Sequence, residues 1–227
     1  MRSETAVRAS AYPSWVPYVA PLVVFLGLGA LDDSFRSVYP VFYSVKILIV
    51  ACVLAWSLPQ IPEARPNVKG LLPAVAAGVL LCVLWVVVDR VTPHFAFLGH
   101  RVGFNPIAAI PAPAQRYAFL AVRFFGLVVV VPFIEEIFFR GFLLRVVTDP
   151  DDFRRVPVGT FSAGALAVNV LFMAAAHPEW LSAALFSAAI CLLYARTRSL
   201  FACVAAHSVT NLALGIYVLL THNWRYW

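Results

Sequence analysis

Val128-Val-Val-Val-Pro-Phe-Ile-Glu135-Glu136-Ile-Phe-Phe-Arg140-Gly-Phe-Leu-Leu-Arg145 places two carboxylates and a guanidinium inside an otherwise apolar run. The apolar stretch around it reaches from Tyr117 to Val147, longer than the roughly 20 residues a spanning helix needs. Charges at mid-membrane cost a few kcal/mol at least, so ionisable groups there mark function more often than decoration. On a helix, Glu136 and Arg140 stand four residues apart and face the same way, the spacing of an ion pair. Glu135 lies about 100° around the helix and is not neutralised by that pair. One carboxylate thus reads as structural, and its neighbour as free for proton transfer. The competing reading has both glutamates neutralising Arg140 and Arg145 in a purely structural network.

Composition agrees with a membrane protein. The 227 residues are 62% hydrophobic and 12% charged, with a mean hydropathy of +0.86, against about 45–50% apolar and 25% charged in soluble domains. A soluble fold could not cover so much apolar side chain with polar surface. The net charge of +6 comes from single Lys and Arg residues scattered between apolar runs. With no basic stripe and no aromatic-basic interleaving, nucleic-acid binding is not expected. Interfacial anchoring of helix ends is the better role for most of these cations. Cys52, Cys82, Cys191 and Cys203 lie in apolar runs without C-x-x-C spacing and read as free, buried thiols.

The apolar runs predict an all-α, polytopic bundle of about seven to eight transmembrane helices in a single integral membrane domain, residues 1–227. The spans fall at Trp15–Leu31, Val41–Leu58, Gly70–Val88, Tyr117–Val147, Ser162–His177, Trp180–Ala195 and Leu200–Leu220. The first lacks a convincing cleavage site and is followed by Asp32 and Asp33, so it reads as an uncleaved span. With seven spans and a cytoplasmic N-terminus, Arg2, Arg8, Arg65, Lys69, Arg145, Arg154, Arg155, Arg196 and Arg198 share the inner side. Arg36, Arg90, Arg101, Arg116 and Arg225 share the outer one, which favours that orientation. An eighth span hidden in the long fourth segment would invert part of it.

Other polar groups interrupt the later spans. His207 and Asn211 are four residues apart and both can donate hydrogen bonds toward one point. His177 ends the fifth run, two turns after Asn169. At about 1.5 Å per residue from the inner helix ends, Glu135 lies about 18 Å deep, His177 about 22 Å, His207 about 12 Å and Asn211 about 18 Å. All four fall near the middle of a core about 30 Å thick. A carboxylate, two imidazoles and an amide in one layer make a polar site. Lys46 is expected to snorkel to its helix end, and Arg123 to do likewise or pair with a carboxylate. Trp180, Trp224 and Trp227 read as interface anchors. His94, His100 and His222 lie in loops and are given no role.

At these residues the chain resembles the CAAX protease and bacteriocin-processing (CPBP, or Abi) family of intramembrane endopeptidases. That family is marked by E-E-x-x-x-R, F-x-x-x-H and H-x-x-x-N or H-x-x-x-D on separate helices. Glu135-Glu136-x-x-x-Arg140 and His207-x-x-x-Asn211 match outright, while Met173 stands where the middle motif has Phe, and Phe172 precedes His177 by five positions. The resemblance covers roughly residues 117–220, the expected catalytic core. It implies that Glu135 and His177 activate a water for attack on a peptide carbonyl. His207 and Asn211 would stabilise the oxyanion, and Glu136 and Arg140 would hold the helix and set the charge on Glu135.

The wording Thr148-Asp-Pro-Asp-Asp-Phe-Arg-Arg-Val-Pro-Val-Gly-Thr-Phe161, Ala176-His-Pro-Glu-Trp180 and Arg196-Thr-Arg-Ser-Leu200 resembles a bacterial CAAX prenyl protease-related branch that accompanies exosortase/PEP-CTERM sorting systems. That implies a multi-pass protein of the cell inner membrane, a protein or peptide substrate other than a prenylated CAAX protein, and exosortase-system partners. No cofactor is required on this reading. Two alternatives stay open: the same residues as ligands of a catalytic zinc, although no H-E-x-x-H is present, and a non-catalytic scaffold or proton-coupled transporter using Glu135 and His207 as a relay.

Overall fold

The computed structural model describes residues 12–99 and 103–227. Arg2, Arg8, His100 and Arg101, which the sequence marks as anchors or loop residues, lie outside them. Among the described residues the regular structure is helical throughout. Seven helices carry the fold: α1 (Val16–Gly29), α2 (Tyr39–Ser57), α3 (Leu71–Val91), α4 (Pro113–Thr148), α5 (Ala163–Ala175), α6 (Trp180–Thr197) and α7 (Leu200–Thr221). Prolines and capping hydroxyls set several boundaries. Pro40 and Pro113 occupy first-turn positions of α2 and α4, where a missing N–H costs nothing. Ser162 and Ser199 accept from Ala165 N and Ala202 N at the starts of α5 and α7, the side-chain cap that helix starts favour.

Five helical stretches are long and apolar enough to cross a bilayer: Arg36–Gln60, which contains α2, together with α3, α4, α6 and α7. Helices α1 and α5 are apolar but have 14 and 13 residues, or about 21 and 20 Å at 1.5 Å per residue. The seven apolar runs of the sequence are therefore five full-length helices and two short ones. Large apolar side chains such as Val41, Leu48, Leu80 and Leu220 are more than half exposed on the outside of the bundle, as lipid-facing positions must be. No eighth span breaks out of the fourth segment, because α4 is one helix of 36 residues.

Helix α4 contains two π-helical segments, Gly126–Val130 and Ile137–Leu143. A π turn acts as one residue inserted into an α-helix and rotates every later residue back by about 100°. Arg123 and Glu135 would sit about 120° apart on an uninterrupted α-helix; the first insertion brings them to within about 20°. Arg123, Leu127, Val131, Glu135 and Phe139 consequently form one row, and all five line the same cleft. The first insertion begins at Gly126, where a Cβ would collide with Tyr43 Oη and Ile47 of α2.

Helices α3 and α7 pack along each other, as do α5 with α6 and α1 with α2. The α3–α7 approach depends on Gly78, whose added Cβ would lie 2.5 Å from Ala206 O and 2.7 Å from Val209 Cβ. Thr210 Oγ1 donates to Gly78 O at 3.0 Å across the same seam. At one end of the bundle, Arg145 gathers the loops. Its Nε donates to Val156 O at 3.0 Å, its Nη2 to Arg154 O at 2.9 Å, and its Nη1 pairs with Glu63. Tyr18 Oη donates to the same Glu63 carboxylate at 2.9 Å. At the other end, the buried Asp89 of α3 is bonded by Arg225 and Tyr226 from the C-terminal turn and by His94 Nε2 at 2.7 Å.

Candidate active site

The polar layer expected from the sequence comes to one place. Glu135 of α4, His177 just past α5, and His207 and Asn211 of α7 line a single inner cavity of about 110 Å³, room for a few water molecules. Trp85, Met173, Phe186 and Tyr226 supply much of its remaining wall. Glu135 and His177 also line a larger cleft of about 520 Å³ between α1, α2 and α4. These two side chains therefore stand where the outer cleft meets the inner cavity.

The adjacent glutamates have separate surroundings. Glu136 is fully buried and faces Arg140, also fully buried, with Nε–Oε2 at 3.3 Å and Nη1–Oε1 at 3.4 Å. Arg140 Nη2 donates further to Ser187 O and Oγ of α6, at 3.0 and 3.3 Å. The ion pair is internal to α4 and shielded from water, and the Arg140 bonds to Ser187 tie it to α6. Glu135 is 15% exposed at its side chain, and its ionic neighbour among the described residues is His207 Nε2 at 4.0 Å. Arg145, which a structural network would assign to Glu135, is instead the partner of Glu63. Among the described residues Glu135 thus pairs with neither Arg140 nor Arg145.

The imidazoles are oriented from behind. His207 Nδ1 lies 2.9 Å from Glu136 Oε1, and a carboxylate oxygen can only accept, so Nδ1 carries a proton and Nε2 faces Glu135. The Phe186 ring packs edge-on against His207 at 4.8 Å between centroids. His177 Nδ1 lies 2.9 Å from Met173 O; by the same logic its Nδ1 is protonated. Trp85 packs edge-on against that ring at 5.9 Å. Met173, at the position where the motif has Phe, is buried and lines the cavity, while Phe172 turns outward onto Phe138 and Phe139. The buried packing position before the histidine is kept with a different side chain.

Asn211 Nδ2 donates to Leu127 O at 2.9 Å. Leu127 lies in the first π segment, where the widened turn leaves carbonyls in need of partners. One amide N–H is so consumed and the second is left for the cavity. Asn169 is buried but turns its amide back to Ala165 O at 3.1 Å and does not line the cavity. Among the described residues no three His, Cys, Asp or Glu side chains gather closely enough to hold a metal ion.

Several cleft residues depart from the sequence reading. Lys46 does not snorkel: it is 4% exposed and bonded to both oxygens of Asp32 at 2.7 Å. Trp227 is not an interface anchor but a buried residue lining the outer cleft. Tyr226 and Trp85, both cavity walls, carry no sequence signal beyond being aromatic. Burial and the bond to Asp89 push the Tyr226 phenol up from its ordinary range, so it stays a hydrogen-bond donor.

Residues 117–213 match the family model described as Rce1-like, type II CAAX prenyl endopeptidase. No curated protein and no solved structure matches the chain. The matched segment is less than half of the chain, yet it contains Glu135, Glu136, Arg140, His177, His207 and Asn211. Over that segment the chain is similar to the type II CAAX prenyl endopeptidases that the family model describes.

Proposed function

We propose that this chain hydrolyses a peptide bond within the membrane, with Glu135 as general base and His207 and Asn211 as the oxyanion site. The observation that carries this reading is that one cavity is lined by Glu135, His177, His207 and Asn211, while the adjacent Glu136 is engaged by Arg140 and His207. In the proposed sequence a water held between Glu135 and His177 Nε2 gives a proton to Glu135 as its oxygen attacks the peptide carbonyl. Nε2–H of protonated His207 and the second N–H of Asn211 then receive the oxyanion, a contact stronger in the transition state than in the ground state. Collapse of the tetrahedral carbon expels the amine, which takes the proton back from Glu135. Glu136 and Arg140 act through others: they fix the α4 register and orient the His207 ring through its Nδ1–H.

The site would sit in the inner membrane, with the ends bearing Arg65, Lys69, Arg145, Arg154, Arg155, Arg196 and Arg198 on the cytoplasmic side. The exosortase-system association is part of the same proposal and rests on the wording of residues 148–161, 176–180 and 196–200. Replacement of Glu135 by Ala tests the chemistry. Purified wild-type protein should cleave members of a library of membrane-proximal peptides, and Glu135→Ala should be slower by about 10²–10⁴. Equal rates would remove Glu135 from the reaction. Rescue of a deletion strain by Glu135→Ala would instead indicate a scaffold.

A further inference from the structure

Arg123 differs from the other buried cations of the bundle. Lys46 has Asp32, Arg140 has Glu136, and Arg145 has Glu63. Arg123 is 9% exposed, and among the described residues no carboxylate lies within ion-pair distance of it. Its Nη1 donates to Tyr39 Oη at 3.1 Å, and its Nε is buried with no hydrogen-bond partner. The rings of Tyr43 and Trp227 lie 4.5 and 5.5 Å from the guanidinium carbon. The ring contacts offset part of the charge, and Tyr43 is also a hydrogen-bond partner of the guanidinium, which leaves Nε without one. Asp32 lines the same cleft, yet both its oxygens are engaged by Lys46.

A desolvated guanidinium without a counter-ion is unfavourable unless an anion arrives to complete it. Its planar fork fits a carboxylate through two parallel bonds. Arg123 lines the outer cleft in one row with Glu135. Their separation along α4, counting one residue for the π turn, is about 17 Å at 1.5 Å per residue. An extended peptide covers that distance in about five residues.

We infer that Arg123 is a specificity residue that receives a substrate carboxylate about five residues from the scissile bond, making the outer cleft selective for acidic peptides. This rests on the proposed function, since it takes Glu135 as the cleavage point. The carboxylate is either a chain terminus or an Asp or Glu side chain, and the experiment separates the two.

The test measures binding to the full chain carrying Glu135→Gln, using two pairs of fluorescent apolar peptides of about twelve residues. One pair differs only in a C-terminal carboxylate or amide. The other, amidated throughout, differs in Asp or Asn about five residues from its centre. The carboxylate member of one pair should bind about ten-fold or more tightly, and adding Arg123→Met should bring that ratio to about one. Arg123→Lys should retain part of the preference. Whichever pair discriminates names the source of the carboxylate. Equal binding within both pairs, or a preference that survives Arg123→Met, overturns the inference. If Arg123→Met does not fold, Arg123→Gln carries the same comparison. Wild-type-like cleavage by Glu135→Ala would defeat the catalytic reading while leaving these binding ratios unchanged, so the two failures are distinguishable.

Discussion

The adjacent glutamates should respond in opposite ways to the same substitution. Glu136→Gln removes the charge partner of Arg140 where both side chains are fully buried. The guanidinium keeps its bonds to Ser187 O and Oγ but has no other carboxylate. Removing one member of a buried pair costs about 3–5 kcal/mol. At about 2–4 °C per kcal/mol for a chain of this size, the melting temperature should fall by about 6–20 °C. Replacing Arg140 by Met in the same chain should recover part of that loss, because no uncompensated charge remains. Glu135→Gln alters a carboxylate that faces a cavity and whose ionic neighbour is 4.0 Å away. Its stability should stay within about 1 kcal/mol of wild type, while peptide cleavage falls by about 10²–10⁴. Thermal melts in one detergent, beside cleavage rates, separate the outcomes. Equal destabilisation by the two variants, or a double variant less stable than Glu136→Gln, would refute the division of roles.

Further expectations concern one wall of the site and two packing contacts outside it. Asn211→Ala should lower kcat by about 10²–10³ with little change in KM, as loss of an oxyanion donor does; a matching rise in KM alone would assign Asn211 to ground-state binding. Gly78→Ala places a Cβ 2.5 Å from Ala206 O, so it should destabilise by about 1–3 kcal/mol and slow cleavage by shifting His207, which melting and rate measurements together would show. Glu63→Gln leaves Arg145 without its acid partner at 5% side-chain exposure. It should lower stability by about 3–5 kcal/mol, read by thermal melting.

The helices were legible because lipid demands long apolar runs, and each predicted span coincides with a helix of the fold to within a few residues. The layer of Glu135, His177, His207 and Asn211 was legible for a related reason: polar groups at equal depth on neighbouring helices have few places to go. The features hidden from the sequence depend on neighbours far along the chain. The first π segment of α4 begins where α2 crowds Gly126, and no local pattern announces either segment. Lys46 finds its acid partner fourteen residues away in a loop, and Arg145 finds Glu63 in a turn eighty-two residues back; helical spacing exposes neither pair. Tyr226 and Trp227 reach the cavities from a short C-terminal turn that carries no periodicity.

We propose that Glu135 drives water onto a peptide carbonyl and that the residues of the cavity suffice without a metal. The most direct test is single-turnover cleavage of a library-selected peptide in H₂¹⁸O by chelator-treated wild type and Glu135→Ala. Product whose new carboxylate carries one ¹⁸O is expected from the chelated wild type, and none from Glu135→Ala within the same time. Cleavage abolished by chelation and restored by zinc, or undiminished in Glu135→Ala, would contradict the proposal.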